Sequence, residues 1–86
     1  KRQEGVHIVF EGIKDFVDME EEDLVILIPY KGNPKIYSRK HSSLTTLEYE
    51  NNLPSHSQYF SVKDQFYCLF DSILIMWEIK SYNYAY

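Results

Sequence analysis

Short apolar runs alternate along this chain with polar breaks that contain glycine. The first run, Val6 to Phe10, is rich in β-branched and aromatic residues and lies between two glycines. That pattern is typical of a short strand. After the second glycine, Ile13, Phe16 and Val17 follow the spacing of one face of a helix, with charged residues between them. This spacing predicts a short amphipathic helix.

A second apolar run and a turn predict a β-hairpin. Leu24 to Tyr30 is apolar throughout apart from one proline, as in a strand covered on both faces. Because that proline cannot donate a main-chain hydrogen bond, the strand lies at a sheet edge there or ends there. Lys31 to Pro34 supplies turn residues, and Lys35 to Lys40 forms the return arm. Alternation places Ile36 and Ser38 on one face of this arm.

The last third of the chain has the clearest periodicity. Ser61 and Asp64 resemble a helix-capping pair. The same residue types favour strands, and Asp71-Ser72 fits a turn that would divide the segment into a strand pair. Our main prediction is nevertheless an amphipathic helix, because six large apolar residues recur at helical spacing over three turns. These residues are Phe66, Leu69, Phe70, Ile73, Leu74 and Trp77.

Residues 66–75 have the sequence FYCLFDSILI. This segment resembles the consecutive-strand segment of pleckstrin-homology domains that follow exchange-factor domains. The resemblance implies strands in place of the helix, and a role in phosphoinositide binding or protein docking. It covers ten residues near the C-terminus, where the remaining strands and the closing helix of that family would still have to follow. Our predictions for the whole chain do not rest on it.

The order of elements predicts one α+β domain over residues 1–86: a small antiparallel sheet with a C-terminal amphipathic helix packed on one face. Two alternatives stay open. A ferredoxin-like βαββαβ order follows if Ser43 to Asn51 is a second helix, and a mainly β fold follows if Phe66 to Lys80 is a strand pair. A chain this short supports one core. Its start at Lys1-Arg2, without Met, suggests a processed product or part of a longer protein.

Composition and charge narrow the functional classes. With 44% apolar and 16% aromatic residues the chain is globular in type, because disordered chains lack this apolar content. Nine basic against 13 acidic residues give a net charge of −4, which argues against a dedicated nucleic-acid binder. A single cysteine and no apolar stretch near 18 residues predict an intracellular protein, cytoplasmic or nuclear, without a transmembrane segment.

The sequence contains no catalytic or metal-binding signature. Cys68 is predicted to be a packed thiol, because no motif orients His7, His41 or His56 toward it. The three histidines lie more than ten residues apart, so metal-ligand spacing is missing. Glycine-rich phosphate loops are missing as well. We therefore predict that the chain is not an enzyme and holds no cofactor or metal.

The partner-binding candidates are an acidic run and an aromatic tail. Five carboxylates within six positions can meet a basic partner surface, although such runs are more often solvated loops. Alternating tyrosines in an extended tail would place their rings on one side, as an interface or edge strand requires. We predict a protein–protein interaction module, an inhibitor or adaptor, that acts through an exposed sheet edge or acidic loop and can self-associate. The residues are Glu20, Glu21, Glu22, Asp23, Tyr82, Tyr84 and Tyr86.

The alternative function is phosphate-group binding, to nucleic acid or phosphoinositide, through a basic hairpin that extends from Lys31 to His41. Cations around a turn can hold phosphate, and Tyr30 and Tyr37 could stack on bases. Lysines on a hairpin also serve simply to prevent edge-to-edge pairing. The phosphate-binding candidates are Lys31, Lys35, Arg39 and Lys40.

Overall fold

The computed structural model describes residues 5, 7, 9–20 and 23–80, in which seven strands form two antiparallel sheets. In each sheet, neighbouring strands are consecutive in the chain. Sheet A has four strands: β1 Ile13–Met19, β2 Leu24–Pro29, β3 Lys35–Ser38 and β4 Ser43–Thr46. Sheet B has three strands: β5 Gln58–Val62, β6 Gln65–Phe70 and β7 Ile73–Glu78.

Strand β2 accounts for the long apolar run in the first half of the sequence. It lies between β1 and β3 and pairs with both of them. Leu24, Ile26 and Ile28 belong to the core between the sheets, while Leu27 is buried on the opposite face. The prediction of a strand covered on both faces is therefore confirmed. The strand ends at Pro29, after its pairing with β3 has already stopped.

The predicted hairpin over residues 31–34 is also confirmed, since this segment joins β2 to β3. Gly32 has a φ of 94°, a backbone conformation that favours glycine. Ile36 and Ser38 share one face of β3, as the alternation predicts, and the structure shows that both are buried. The Asn33 side-chain amide donates to the carbonyl oxygen of Leu47 at 3.1 Å, which ties the turn to the end of β4.

The predicted C-terminal helix is wrong, because residues 65–78 form strands β6 and β7. Asp71 and Ser72 make the turn between them with φ values of 45° and 65°, as a tight β-hairpin requires. The α+β fold class is therefore wrong as well. The mainly β alternative describes this segment, as do the strands that the resemblance implies. Ile79 and Lys80, the last two described residues, have α-helical backbone.

Pairing across this turn explains the misleading periodicity. Phe70 lies opposite Ile73, and Phe66 lies opposite Trp77, on the core side of the hairpin. Because a turn of only two residues separates the strands, these four residues are spaced along the sequence like residues on one face of a helix. The aromatic and β-branched residues that make up this face have the higher preference for strands.

Three further predictions are wrong. The segment that contains Phe16 forms strand β1 and not a short helix, because it pairs with β2 over its length. The ferredoxin-like alternative fails because residues 43–51 contain strand β4 and no helix. Of the strand predicted over residues 6–10, the described residues His7, Val9 and Phe10 are outside any strand. Phe10 instead packs edge-on against Tyr37, with ring centroids 5.2 Å apart.

Both sheets contribute to one hydrophobic core. At its centre the Phe66 ring stacks with Tyr59 on one side and Trp77 on the other, at centroid distances of 5.7 and 6.0 Å. The core cluster consists of Met19, Leu24, Ile26, Ile28, Ile36, Leu47, Leu53, Phe66, Cys68, Trp77 and Ile79. Within the described part of the chain, no helix has the length and apolar character needed to cross a membrane.

Candidate interaction surface

Sheet B has apolar side chains on both of its faces. Phe66, Cys68 and Trp77 point into the core. Because side chains alternate along a strand, their chain neighbours point away from the core. Six large side chains therefore lie together on the far side of the sheet, and we call this set the outer face: Phe60, Val62, Tyr67, Leu69, Leu74 and Met76.

The outer face is open to solvent in the described structure. Its five hydrophobic members other than Tyr67 are 38 to 57% exposed, and Leu74 is the most exposed. Three strands of five or six residues cover roughly 14 by 20 Å. An apolar patch of this extent on a small protein is often a binding surface.

An aromatic pair lies in the middle of the outer face, and a short row of hydrogen-bonded polar side chains lies at one end. Phe60 and Tyr67 lie opposite each other on β5 and β6, and their rings stack with centroids 5.1 Å apart. The Tyr67 hydroxyl donates to the Gln65 side-chain oxygen at 2.8 Å, and the Gln65 amide donates to Glu78 at 3.3 Å. The surface thus has an apolar middle and a polar end, an arrangement common at protein interfaces.

The acidic run and the basic hairpin meet each other in the fold. Arg39 lies next to Asp18 and Asp23, at nitrogen–oxygen distances of 3.3 and 3.5 Å. The hydrogen bond to Asp18 is the main cause that raises the pKa of the Arg39 guanidinium. One phosphate-binding candidate is therefore engaged by two carboxylates of the acidic segment. Glu20 is exposed, and the predicted sites Glu21 and Glu22 lie outside the described residues.

The remaining cations of the hairpin are distributed over sheet A. Lys31 lies in the turn between β2 and β3, while Lys40 lies in the turn at the other end of β3. Lys35 is within β3, paired with Leu27 and Thr46 of the neighbouring strands. The strand separates the two turns, so the fold does not collect these side chains into one basic pocket.

Cys68 is a fully buried core residue, as the sequence analysis predicts for a packed thiol. Burial is the main cause that raises its pKa, while its polar neighbours Ser57 and Tyr59 act in the opposite direction. A buried thiol with a raised pKa is a poor nucleophile. The thiol–imidazole pair considered from the sequence therefore has no support at this position.

Polar clusters elsewhere are small and exposed. His56 lies 3.0 Å from Asp71, with both side chains more than 60% exposed. The part of the chain that the structure describes contains no group of three or more His, Cys, Asp or Glu side chains that could hold a metal ion. The contact of His56 with Asp71 links the β4–β5 connection to the β6–β7 turn.

The sequence analysis missed the outer face. It assigned Leu69 and Leu74 to the same helical face as Phe66 and Trp77, which the structure places on opposite sides of sheet B. The available signal was the alternation within each strand once the turn at residues 71–72 is accepted. The aromatic tail, with Tyr82, Tyr84 and Tyr86, lies outside the described residues.

No family model, no curated protein and no solved structure matches this chain.

Proposed function

We propose that this chain is a non-catalytic protein–protein interaction module, an inhibitor or adaptor, whose contact surface is sheet B. The observation that carries the proposal is the apolar outer face, where five large hydrophobic side chains are exposed on three neighbouring strands. Burying such side chains against a partner is favourable by about 25 cal/mol per Å² of apolar surface.

The make-up of the surface supports a protein partner over a polyanion. Aromatic residues and Met are enriched at protein interfaces, and the outer face contains Phe60, Tyr67 and Met76. Phosphate groups would require cations, and the six outer-face residues include none. Glu78 and Gln65 at one end supply a polar rim.

The proposal is tested by capture from a lysate of the source cells with matched charge variants. The outer-face variant combines Val62→Lys with Leu69→Lys, neither of which is a core residue. The control combines Phe16→Lys with Leu44→Lys, two exposed apolar strand residues of sheet A. Captured proteins are quantified by mass spectrometry after nuclease treatment, and thermal melts verify that all chains fold.

We expect the wild type and the control to retain one protein that the outer-face variant loses at least tenfold. Retention of the same protein by the outer-face variant would refute the proposal. Recovery of only lipid or nucleic acid would also count against it. Turnover in a broad hydrolase or transferase screen would contradict the non-catalytic assignment.

Phosphate-group binding through Lys31, Lys35, Arg39 and Lys40 stays a prediction with less support. Arg39 already pairs with two carboxylates, and Lys31 and Lys40 lie in turns at opposite ends of β3. A salt titration of binding to phosphoinositide vesicles or RNA decides the matter. Phosphate contacts require affinity that falls steeply with salt and is lost in Lys35→Glu with Arg39→Glu.

A further inference from the structure

The two sheets end in four edge strands among the described residues: β1, β4, β5 and β7. An edge strand presents unpaired main-chain N–H and C=O groups, which can pair with another strand unless a local feature prevents it. Bulges, charged side chains, short length and coverage by other parts of the chain are the usual protective features. The four edges differ in which of these features they have.

Two of the edges, β1 and β4, are protected. The pairing of β1 with β2 is irregular between Ile13 and Asp15, and β1 includes the charged residues Lys14, Asp15 and Asp18. Strand β4 is only four residues long. Strand β5 has no charged residue, but it is one residue shorter than β7, and it begins beside β1, near the contact of the Lys14 ammonium with the Ser55 carbonyl oxygen at 3.4 Å. An open cleft of about 260 Å³ between Lys14 and Tyr59 separates these two edges.

Strand β7 has none of these features among the described residues. It pairs with β6 in a regular register over six residues, and its sequence ILIMWE has no proline and no lysine. Its single charge, Glu78, is at the end of the strand and accepts a hydrogen bond from Gln65. A regular, largely apolar edge whose one charge lies at its end is the type that pairs with other chains.

The hydrogen-bond pattern identifies which groups of β7 are available. The Ile79 N–H donates to the Asp64 carbonyl oxygen, and Ile73 faces Phe70 across the two-residue turn. Main-chain groups alternate in direction along an antiparallel strand, so the odd-numbered residues of β7 bond to β6. The N–H and C=O groups of the even-numbered residues, Leu74, Met76 and Glu78, therefore point away from β6.

We propose that the β7 edge pairs antiparallel with β7 of a second copy of this chain, about a two-fold axis at Met76. In this register Met76 faces Met76 of the second copy, and Leu74 faces Glu78. The three facing pairs join residues whose main-chain groups all point outward, so each pair can exchange two hydrogen bonds. The proposal goes beyond the proposed function, because this contact uses the main-chain groups of the β7 edge and not the outer face.

Charge and area set the expected strength of this dimer. The two Glu78 residues would lie about four residues apart along the strand, or roughly 14 Å, which exceeds the screening length of about 8 Å in physiological salt. An edge about 20 Å long buries less than the roughly 1,000 Å² typical of stable interfaces. The dimer is therefore weak and dependent on concentration, with half-association above roughly 100 µM.

Sedimentation of the purified chain between about 10 µM and 1 mM tests the proposal, and two edge prolines serve as matched variants. Met76→Pro removes an N–H that points away from β6, whereas Ser61→Pro removes the corresponding outward N–H on the β5 edge. We expect the wild type and Ser61→Pro to dimerise. Met76→Pro should remain a monomer at 1 mM with a melting temperature close to that of the wild type.

A charge pair locates the two-fold axis and does not depend on proline being tolerated. Met76→Lys and Met76→Glu each place like charges opposite each other in the dimer, which opposes pairing. Each variant alone should be a monomer at 1 mM. An equimolar mixture should form a heterodimer at least as readily as the wild type, because the opposite charges then face each other.

The other possible occupants of the edge give different results, each of which overturns the proposal. A wild type that stays monomeric at 1 mM would overturn the proposal. A chain that dimerises only after truncation following Ser81 would overturn it as well, because the tail would then occupy the edge. A dimer lost in Val62→Lys with Leu69→Lys but kept in Met76→Pro would place the contact on the outer face. The proposed function fails separately, in the lysate experiment with the outer-face variants.

Discussion

Replacing Trp77 with alanine should remove a large part of the folding free energy. The side chain is 5% exposed, stacks on Phe66 at 6.0 Å, and donates its indole N–H to the Glu48 carbonyl oxygen at 2.9 Å. Aromatic side chains bury about 150 to 250 Å². At about 25 cal/mol per Å², the loss of roughly 150 Å² corresponds to about 4 kcal/mol. Measured substitutions of this kind cost about 3 to 5 kcal/mol.

That loss is large for a chain of this length. At roughly 0.05 to 0.15 kcal/mol per residue, 86 residues give a total stability of about 4 to 13 kcal/mol. Trp77→Phe separates the two contributions, because it keeps an aromatic ring in the core and loses the hydrogen bond to Glu48. We expect it to cost about 1 to 2 kcal/mol, since a typical hydrogen bond contributes roughly 0.5 to 1.5 kcal/mol and the smaller ring adds a packing loss.

Urea unfolding followed by far-UV circular dichroism measures these differences, because Trp77 is the only tryptophan and its fluorescence is lost in the variants. Leu74→Ala is the control: it changes an exposed outer-face residue of the same strand and should shift stability by less than about 0.5 kcal/mol. A Trp77→Ala variant within about 1 kcal/mol of the wild type would refute the assignment of this ring to the core.

Three further predictions concern the sheet B hairpin and the core beside it. Burial, which raises the pKa of Cys68, predicts slow reaction with a thiol reagent in the native state and fast reaction in urea; equal rates would contradict it. Burial also raises the pKa of Tyr59 to about 12 in the folded protein, whereas a tyrosine in the unfolded chain ionises near pH 10. The free energy of unfolding should therefore fall progressively between about pH 10 and 12. Tyr59→Phe should reduce this loss, as measured by urea unfolding over the same pH range. Ser72→Gly should raise stability by about 0.5 to 1 kcal/mol, because glycine adopts the φ of 65° at this turn position without strain; a lower melting temperature would show otherwise.

Structural features that depend on a single short stretch of the chain were predicted well. The strand at Leu24–Pro29 followed from the apolar run Leu24 to Tyr30, which only Pro29 interrupts. The hairpin that follows it resulted from turn residues with fixed backbone preferences, including Gly32. Alternation along β3 predicted that Ile36 and Ser38 share one face, although not that this face is buried. In these cases backbone sterics and the two-residue period act within a few residues, so the sequence contains the needed information.

Features that depend on which strands meet were not predicted. Phe66 and Trp77 have the spacing of a helical face, and only their pairing across the Asp71-Ser72 turn shows that they belong to two strands. The salt bridges of Arg39 with Asp18 and Asp23 join segments that the sequence presents as separate acidic and basic sites. Long-range pairing decides between local alternatives that have similar intrinsic preferences.

The sequence alone determined that this chain folds around one apolar core, that Cys68 is a packed thiol, and that β2 is covered on both faces. These three features depend only on how many apolar residues the chain has and on their order within short segments. The tertiary structure decided which apolar residues remain exposed: Leu69 and Leu74 point away from the core because their strand neighbours Cys68 and Ile75 point into it. A strand with apolar residues on both sides needs a layer on each side to bury them, and the described chain supplies that layer on only one side of sheet B.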